Sequence, residues 1–383
     1  MVMETGQGSN AAKGQYKDLS YRGEVVYIYA FDLAYDMKRE PIAKLLGHPI
    51  QDYSIGLSKR IPKHLFFHRS QMINLPAEKR QSPRGSVEIR QTVQLFNVGA
   101  LSIRVYVPFE AESLEELVGY HDLSFTSGSL EDEVSQLAEQ IRKELEPYCI
   151  RPVPHLSQSE AYTVFCIHEL SDGTSNPAKR MEDWLMANRR QVAGLLTQEE
   201  DAARLSEQEA AESTGQYLSY YDNDLVVVDW DAALVVGERD ILDAVLHIME
   251  LANVQLVELA AYDRILDSAM EAAYRDVAIG RARATRYIHR NLREIRVDMA
   301  RLSDELSNIT KFFGDWHLAN IYRQLSDRFH LGDWNRVINQ KLKTLGDLYQ
   351  LLQQDRMNFW MMVLEVTIVL LFIIDLIILL AGS

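Results

Sequence analysis

The chain has 383 residues, with 40 Lys and Arg against 55 Asp and Glu and 47% hydrophobic residues, an ordinary globular balance that excludes wholesale disorder. A formal net charge of −15 excludes a surface that grips nucleic acid all over, so any polyanion site must be local. The only cysteines, Cys149 and Cys166, are too few for a disulfide framework and lack the paired spacing of a zinc site, which places the soluble part in a reducing compartment.

Residues 1–20 are small, polar and glycine-bearing and read as a disordered arm. They show neither an apolar h-region nor an Arg-rich amphipathic pattern, so no signal or transit peptide is expected and the bulk of the chain stays on the side where it is made. Residues 21–236 read as an α+β domain. EVVYIYAFDL from Glu24 is rich in β-branched and aromatic residues, and SVEIRQTVQLFNVGALSIRVYVPF gives two strand-like runs joined at Asn97-Val98-Gly99, a predicted hairpin. Helical stretches follow at Leu114 to Val118 and at Ser129 to Tyr148, where Ser129 offers an N-cap and Pro152 lies beyond the end. AYTVFCIHEL returns to strand, residues 179–212 form a charged helical region, and LVVVDWDAALVV supplies the last strands, with a boundary near Gly237.

Residues 237–357 read as an all-α coiled-coil stalk, with no proline from Asp240 onward. Ile288, Leu292, Ile295, Met299, Leu302, Leu306, Ile309 and Phe313 alternate spacings of four and three, an a/d seam of nearly four heptads. A second seam at Ile338, Leu342, Leu345, Tyr349 and Leu352 runs past Gly346 toward an apolar segment. Between the seams, two Gly-Asp-Trp triplets read as a turn and N-cap before each new helix.

Residues 358–381 read as a single transmembrane helix. Phe359 to Ala381 is apolar except for Glu365, Thr367 and Asp375. At 1.5 Å per residue it covers roughly 35 Å, enough for a hydrocarbon core of about 30 Å. Only Gly382 and Ser383 follow, so the expectation is a tail anchor, with Trp360 and Arg356 at the near interface. A carboxylate at mid-membrane costs about 2.5–3.5 kcal/mol on insertion scales. Glu365 and Asp375, about 80° apart on a straight helix, are therefore expected to associate with a second copy or with another membrane protein. Protonation with snorkelling, or an ion path in an oligomer, are the alternatives.

Chemistry is scarce. There is no phosphate loop, dinucleotide fingerprint, hydrolase elbow or zincin helix. His64 and His68 have i,i+4 spacing but no third ligand nearby, and Asp222-Asn223-Asp224 runs directly into Leu225, Val226 and Val227, so a turn explains it better than a calcium loop. No catalytic residue, metal or cofactor is expected. Arg283, Arg286, Arg290, Arg293 and Arg301 make a basic helix face that could meet RNA phosphate or anionic lipid. The competing reading pairs them with Asp263, Asp267, Glu271 and Asp276 of the preceding helix.

The C-terminal segment resembles the "required for meiotic nuclear division" family. The resemblance rests on an aromatic-Asp segment and tyrosine at Trp316 and Tyr322, then Arg336, Val337, Asn339 and Leu342, then Leu364 and Glu365 opening an anchor with Asp375 ten residues on. It covers about the last 70 residues, departs at Val366, where the family has an aromatic, and finds no signature in the N-terminal half. It implies an oligomeric membrane protein without known enzymatic activity. Eukaryotic relatives are linked to mitochondrial translation at the inner membrane while bacterial members are uncharacterised, and a chain without a transit peptide resembles a bacterial one.

The expectation from sequence is therefore an α+β domain, a helical coiled-coil stalk and one transmembrane helix. Functionally this is a non-enzymatic, self-associating scaffold on a bacterial inner membrane with its N-terminal bulk cytoplasmic. The alternative is a ribosome or RNA tether using the arginine face. A third reading is an enzyme of unknown class using His64, His68, Asp222 or Asp224.

Overall fold

A computed structural model describes residues 20–38, 42–52, 70–82, 85–156, 159–171, 180–279, 296–297 and 316–381. In chain order the first strands are β1 (Ser20–Asp32), β2 (Ala34–Met37), β3 (Lys44–Leu45), β4 (His48–Pro49), β5 (Gln51–Asp52), β6 (Ser70–Ser82), β7 (Gly85–Phe96) and β8 (Ala100–Ala111). After them come α1 (Glu115–Val118), β9 (Ser124–Phe125), β10 (Gly128–Ser129), α2 (Leu130–Leu145), β11 (Cys149–Pro152) and β12 (Glu160–Ser171). Then follow α3 (Met181–Ala187), α4 (Arg189–Thr197), α5 (Glu207–Thr214), β13 (Tyr217–Leu218), β14 (Leu225–Val228) and β15 (Ala232–Val236). The remainder is helical: α6 (Arg239–Ile279), α7 (Trp316–Arg328) and α8 (Leu331–Ala381). This is the expected α+β region with a large sheet, followed by helices.

Nine strands join in the order β13-β14-β15-β12-β1-β8-β7-β6-β5. β12 and β15 are parallel, whereas their neighbours pair antiparallel. A parallel pair needs a long crossover, and α3 to α5 supply it. The hairpin of β7 and β8 turns at Gly99, whose φ is +92° and whose carbonyl accepts from the amides of Leu33 (2.9 Å) and Ala34 (3.2 Å). A Cβ there would run into the Ala34 carbonyl, so glycine is required both for the turn and for the close approach.

β1 is buried on both faces, which is why EVVYIYAF reads as a continuous apolar run and not as an alternating one. Val25, Tyr27, Tyr29 and Phe31 share a core with Ile103, Val105 and Val107 of β8, with Val134, Ala138 and Ile141 of α2, and with Trp184 and Leu195 of α3 and α4. α2 starts at the expected cap, where the Ser129 hydroxyl accepts from the Asp132 amide at 3.1 Å, an interaction whose loss typically costs about 1 kcal/mol. The opposite face carries Val26, Ile28, Ala30, Tyr162 and Val164. There the Asn253 amide of α6 donates to the Ile28 carbonyl (3.2 Å) and the Glu160 carbonyl (2.9 Å), and Tyr162 packs edge-on to Phe329 with ring centroids 5.1 Å apart.

The chain divides into two compact units, Met1–Glu258 with Asn308–Leu331, and Leu259–Ser307 with Gly332–Ser383. Composition changes at Gly237, where the helices begin, but the first unit continues to Glu258. In the second unit the interior is Leu259, Leu266 and Ala273 of α6 and Ile338, Leu342, Leu345 and Tyr349 of α8. Lys341 donates to Asp263 at 2.7 Å and to Asp267 at 2.6 Å. The arginines read as partners of these acids lie outside the described residues. Asp263 and Asp267 are paired with a lysine of α8, because helical spacing puts both acids on one side of α6. The second Gly-Asp-Trp triplet lies inside α8, not before it. The turn falls at Phe329 and His330, with φ +51° at His330, and Asp333 serves in the first turn by accepting from Arg336 at 2.7 Å.

Candidate functional site

On the α6 side of the sheet a line of polar side chains is sealed from solvent. Ser70 of β6, Gln94 of β7, Ser102 and Arg104 of β8, and His247 and Glu250 of α6 are all buried. The Gln94 amide donates to the Ser70 hydroxyl at 2.6 Å, and Arg104 Nη2 reaches Gln94 Oε1 at 3.4 Å. Arg104 Nε stands 3.5 Å from Glu250 Oε1, and His247 Nδ1 stands 3.6 Å from Glu250 Oε2. Burial pushes the His247 ring below its ordinary range, against the pull of Glu250. Burial alone would raise Glu250, but the Arg104 guanidinium and the His247 ring outweigh it and hold the carboxyl below its ordinary range. The favoured state is a carboxylate facing a guanidinium, with a neutral imidazole completing the row.

Such a row is a clamp between helix and sheet. Removing one partner of a buried ion pair typically costs about 3–5 kcal/mol, because the other charge stays inside. Sequence reasoning missed it, although a signal was present: His247 and Glu250 interrupt the apolar run ILDAVLHIMELANV at i,i+3. Arg104 likewise stands inside the strand LSIRVYV, in line with Ser102 and Tyr106.

A second polar feature lies at the end of the sheet, a groove of about 490 Å³ lined by Arg22, Glu24, Glu110, His168, Glu169 and Arg239 among others. Its charges are largely spent on one another. Arg22 bridges Glu110 (2.8 Å) and Glu169 (3.4 Å), and Arg90 holds Glu24 at 2.6 Å. Burial lowers the His168 pKa.

Of the residues singled out from sequence, Asp224 caps the turn before β14, accepting from the Tyr220 amide (2.6 Å) and the Tyr221 amide (3.1 Å), while Asp222 is exposed. His64, His68, the arginine face (Arg283, Arg286, Arg290, Arg293, Arg301) and the seam from Ile288 to Phe313 lie outside the described residues. Glu365 and Asp375 lie on α8, on an exposed apolar stretch. Among the described residues no group of three His, Cys, Asp or Glu is placed to hold a metal ion.

Residues 22–242, which carry the whole sheet after Tyr21, match the family described as "Uncharacterized protein MJ0711, N-terminal domain". The chain belongs to this family. It is also similar to "Uncharacterized protein MJ0711" of Methanocaldococcus jannaschii, at 24% identity over 224 residues, which is 58% of this chain and 66% of that protein. The match therefore spans just under two thirds of the relative's length. No solved structure matches the chain.

This MJ0711-type N-terminal domain overturns the resemblance to the meiotic nuclear division family, since the match lies in the sheet and not in the last 70 residues. The physical reason is the low information content of an amphipathic helix running into an apolar one. Helical periodicity and bilayer thickness impose similar spacings on unrelated chains, whereas a nine-stranded register constrains residues one by one.

Proposed function

We propose that the chain is a non-enzymatic membrane scaffold, in which α8 anchors the MJ0711-type domain to a bilayer. The observation that carries this reading is Met357–Ile378, 22 residues of mean hydropathy 2.7 with none of that window buried. In water such a cylinder would be an apolar patch far larger than a soluble monomer tolerates. In a bilayer its backbone is satisfied within the helix and its side chains meet lipid. Lys341, Lys343 and Arg356 precede it, and basic residues flanking a span favour the cytoplasmic side. Cys149 and Cys166, free and buried in the sheet region, suit a reducing compartment. A scaffold role is supported by the polar interior, whose charges are engaged with one another and not turned toward a substrate.

The test is flotation. Full-length chain synthesised in the presence of liposomes should rise with the vesicles in a density gradient and stay with them after alkaline carbonate washing. Recovery at the bottom of the gradient, or release by carbonate, would remove the anchor.

A further inference from the structure

We propose that α8 pairs within the bilayer with a second copy of this chain along one stripe, Met361, Glu365, Ile368, Phe372 and Asp375, so that each acid faces its own counterpart. This rests on the membrane reading above and adds the partner and the contact face.

α8 is unbroken from Leu331 to Ala381, so one helical period applies throughout. The five stripe residues are spaced four, three, four and three, the a/d pattern of a left-handed pair. At 3.5 residues per turn Glu365 and Asp375 stand about 50° apart, on one seam, where a straight helix would set them about 80° apart. The stripe is open: Met361 is 56%, Ile368 46% and Phe372 73% exposed. Among the described residues neither Glu365 nor Asp375 has a hydrogen-bond or ion-pair partner. Thr367, off the stripe, is already satisfied, its hydroxyl donating to the Val363 carbonyl at 2.7 Å.

The other seam of the same helix is taken before the apolar segment begins. Ile338, Leu342, Leu345 and Tyr349 are buried within the chain, and that register continues through Phe359, Val363, Val366, Leu370 and Ile373, which are exposed. The acid stripe is offset from it by two residues, about 200° around the helix. The chain's own interior covers that face from Ile338 to Tyr349; through the apolar segment both faces are open, and the two acids mark the one that calls for a partner.

The chemistry selects a second copy. Copies of one chain insert in one direction, so a two-fold axis along the membrane normal places each residue opposite itself at the same depth. A protonated carboxyl both donates and accepts, so acid facing acid is self-complementary. Ile368 and Phe372 fill the layers between the two polar contacts. A different helix would have to carry two matching polar groups at the same ten-residue spacing.

The experiment is cysteine cross-linking of the full chain in liposomes under a mild oxidant, with the parent chain as background because Cys149 and Cys166 are buried. Met361→Cys, Ile368→Cys and Phe372→Cys should form disulfide dimers, and Val366→Cys, Leu370→Cys and Ile373→Cys should not. Adding Glu365→Leu with Asp375→Leu should cut dimer formation at Ile368→Cys about tenfold, while Glu365→Gln with Asp375→Asn keeps most of it. Flotation of every variant reads the anchor separately. Variants that float but stay monomeric, cross-link evenly around the helix, or ignore the leucine pair would overturn the pairing and leave the anchor standing. Variants that never float would overturn both.

Discussion

Ile241–Arg275 within α6 and Met357–Ile378 within α8 are both long and apolar enough to cross a bilayer, with mean hydropathies of 1.3 and 2.7. The first is 83% buried in protein and the second not at all. Their polar residues tell them apart. In α6, Glu250 faces Arg104, Asn253 donates to two strand carbonyls, and the Gln255 carbonyl oxygen accepts from the Tyr322 hydroxyl at 2.5 Å. In α8, Glu365 and Asp375 meet no protein group among the described residues. An apolar helix whose polar residues are answered by its own fold is a core helix. The unanswered acids of α8 are the ones that the proposed anchor would carry into a bilayer.

The sharpest way to break this contrast is to charge the exposed helix. Ile368→Lys with Phe372→Lys adds about 2.5–3.5 kcal/mol per lysine on insertion scales. Vesicle flotation should be abolished while far-UV circular dichroism of the domain is unchanged; a double variant that still floats would show that α8 is not the anchor. Next in size is the clamp under α6. Arg104→Met should destabilise the first unit by about 3–5 kcal/mol in denaturant titration, and Arg104→Met with Glu250→Leu should recover most of that. Equal losses in the two variants would mean that packing, not charge, ties α6 to the sheet.

Acid should act on the buried helix. The folded His247 pKa lies below its ordinary value of 6.5, so below that pH the unfolded chain binds a proton that the folded chain refuses, and stability falls as pH drops. Glu250, held below its ordinary value of 4.5, contributes stability present above that value and lost as pH falls through its lower folded pKa. The melting temperature should therefore decline from pH 7 to pH 5 and more steeply beneath. His247→Gln should flatten the first part without removing it, since burial also lowers His121 and His168. Superimposable pH profiles for parent and variant would exclude His247 as a source.

The smallest effect is expected at Lys341, which is 22% exposed at its side chain between Asp263 and Asp267. Lys341→Met should cost about 1 kcal/mol at neutral pH. A neutral result in thermal melts would mean that the interior around Leu342 and Leu345 holds this helix pair without the charges.

Much of the architecture was legible in the residues. The hairpin at Asn97-Val98-Gly99, the Ser129 cap, the strands in AYTVFCIHEL and LVVVDWDAALVV and the turn at Asp224 are local, set by β-branching, capping oxygens and a glycine that no other residue can replace. The Gly332 turn was misplaced because a Gly-Asp pair fits a first helical turn as well as a loop. The clamp was not legible, because Ser70, Gln94, Arg104, His247 and Glu250 are drawn from three strands and a helix more than a hundred residues away. The family was misjudged because a membrane-type helix repeats a pattern that physics imposes, while identity resides in the sheet.

By itself, the sequence determined that a β-rich first half gives way to helices and that one segment is apolar along a bilayer's length, since both follow from composition and period. Only the tertiary structure decided which apolar helix is covered, which seam of α8 is already filled, and that Arg104 and Glu250 face one another. Burial and pairing belong to surfaces brought together from distant parts of the chain, and no local spacing records them.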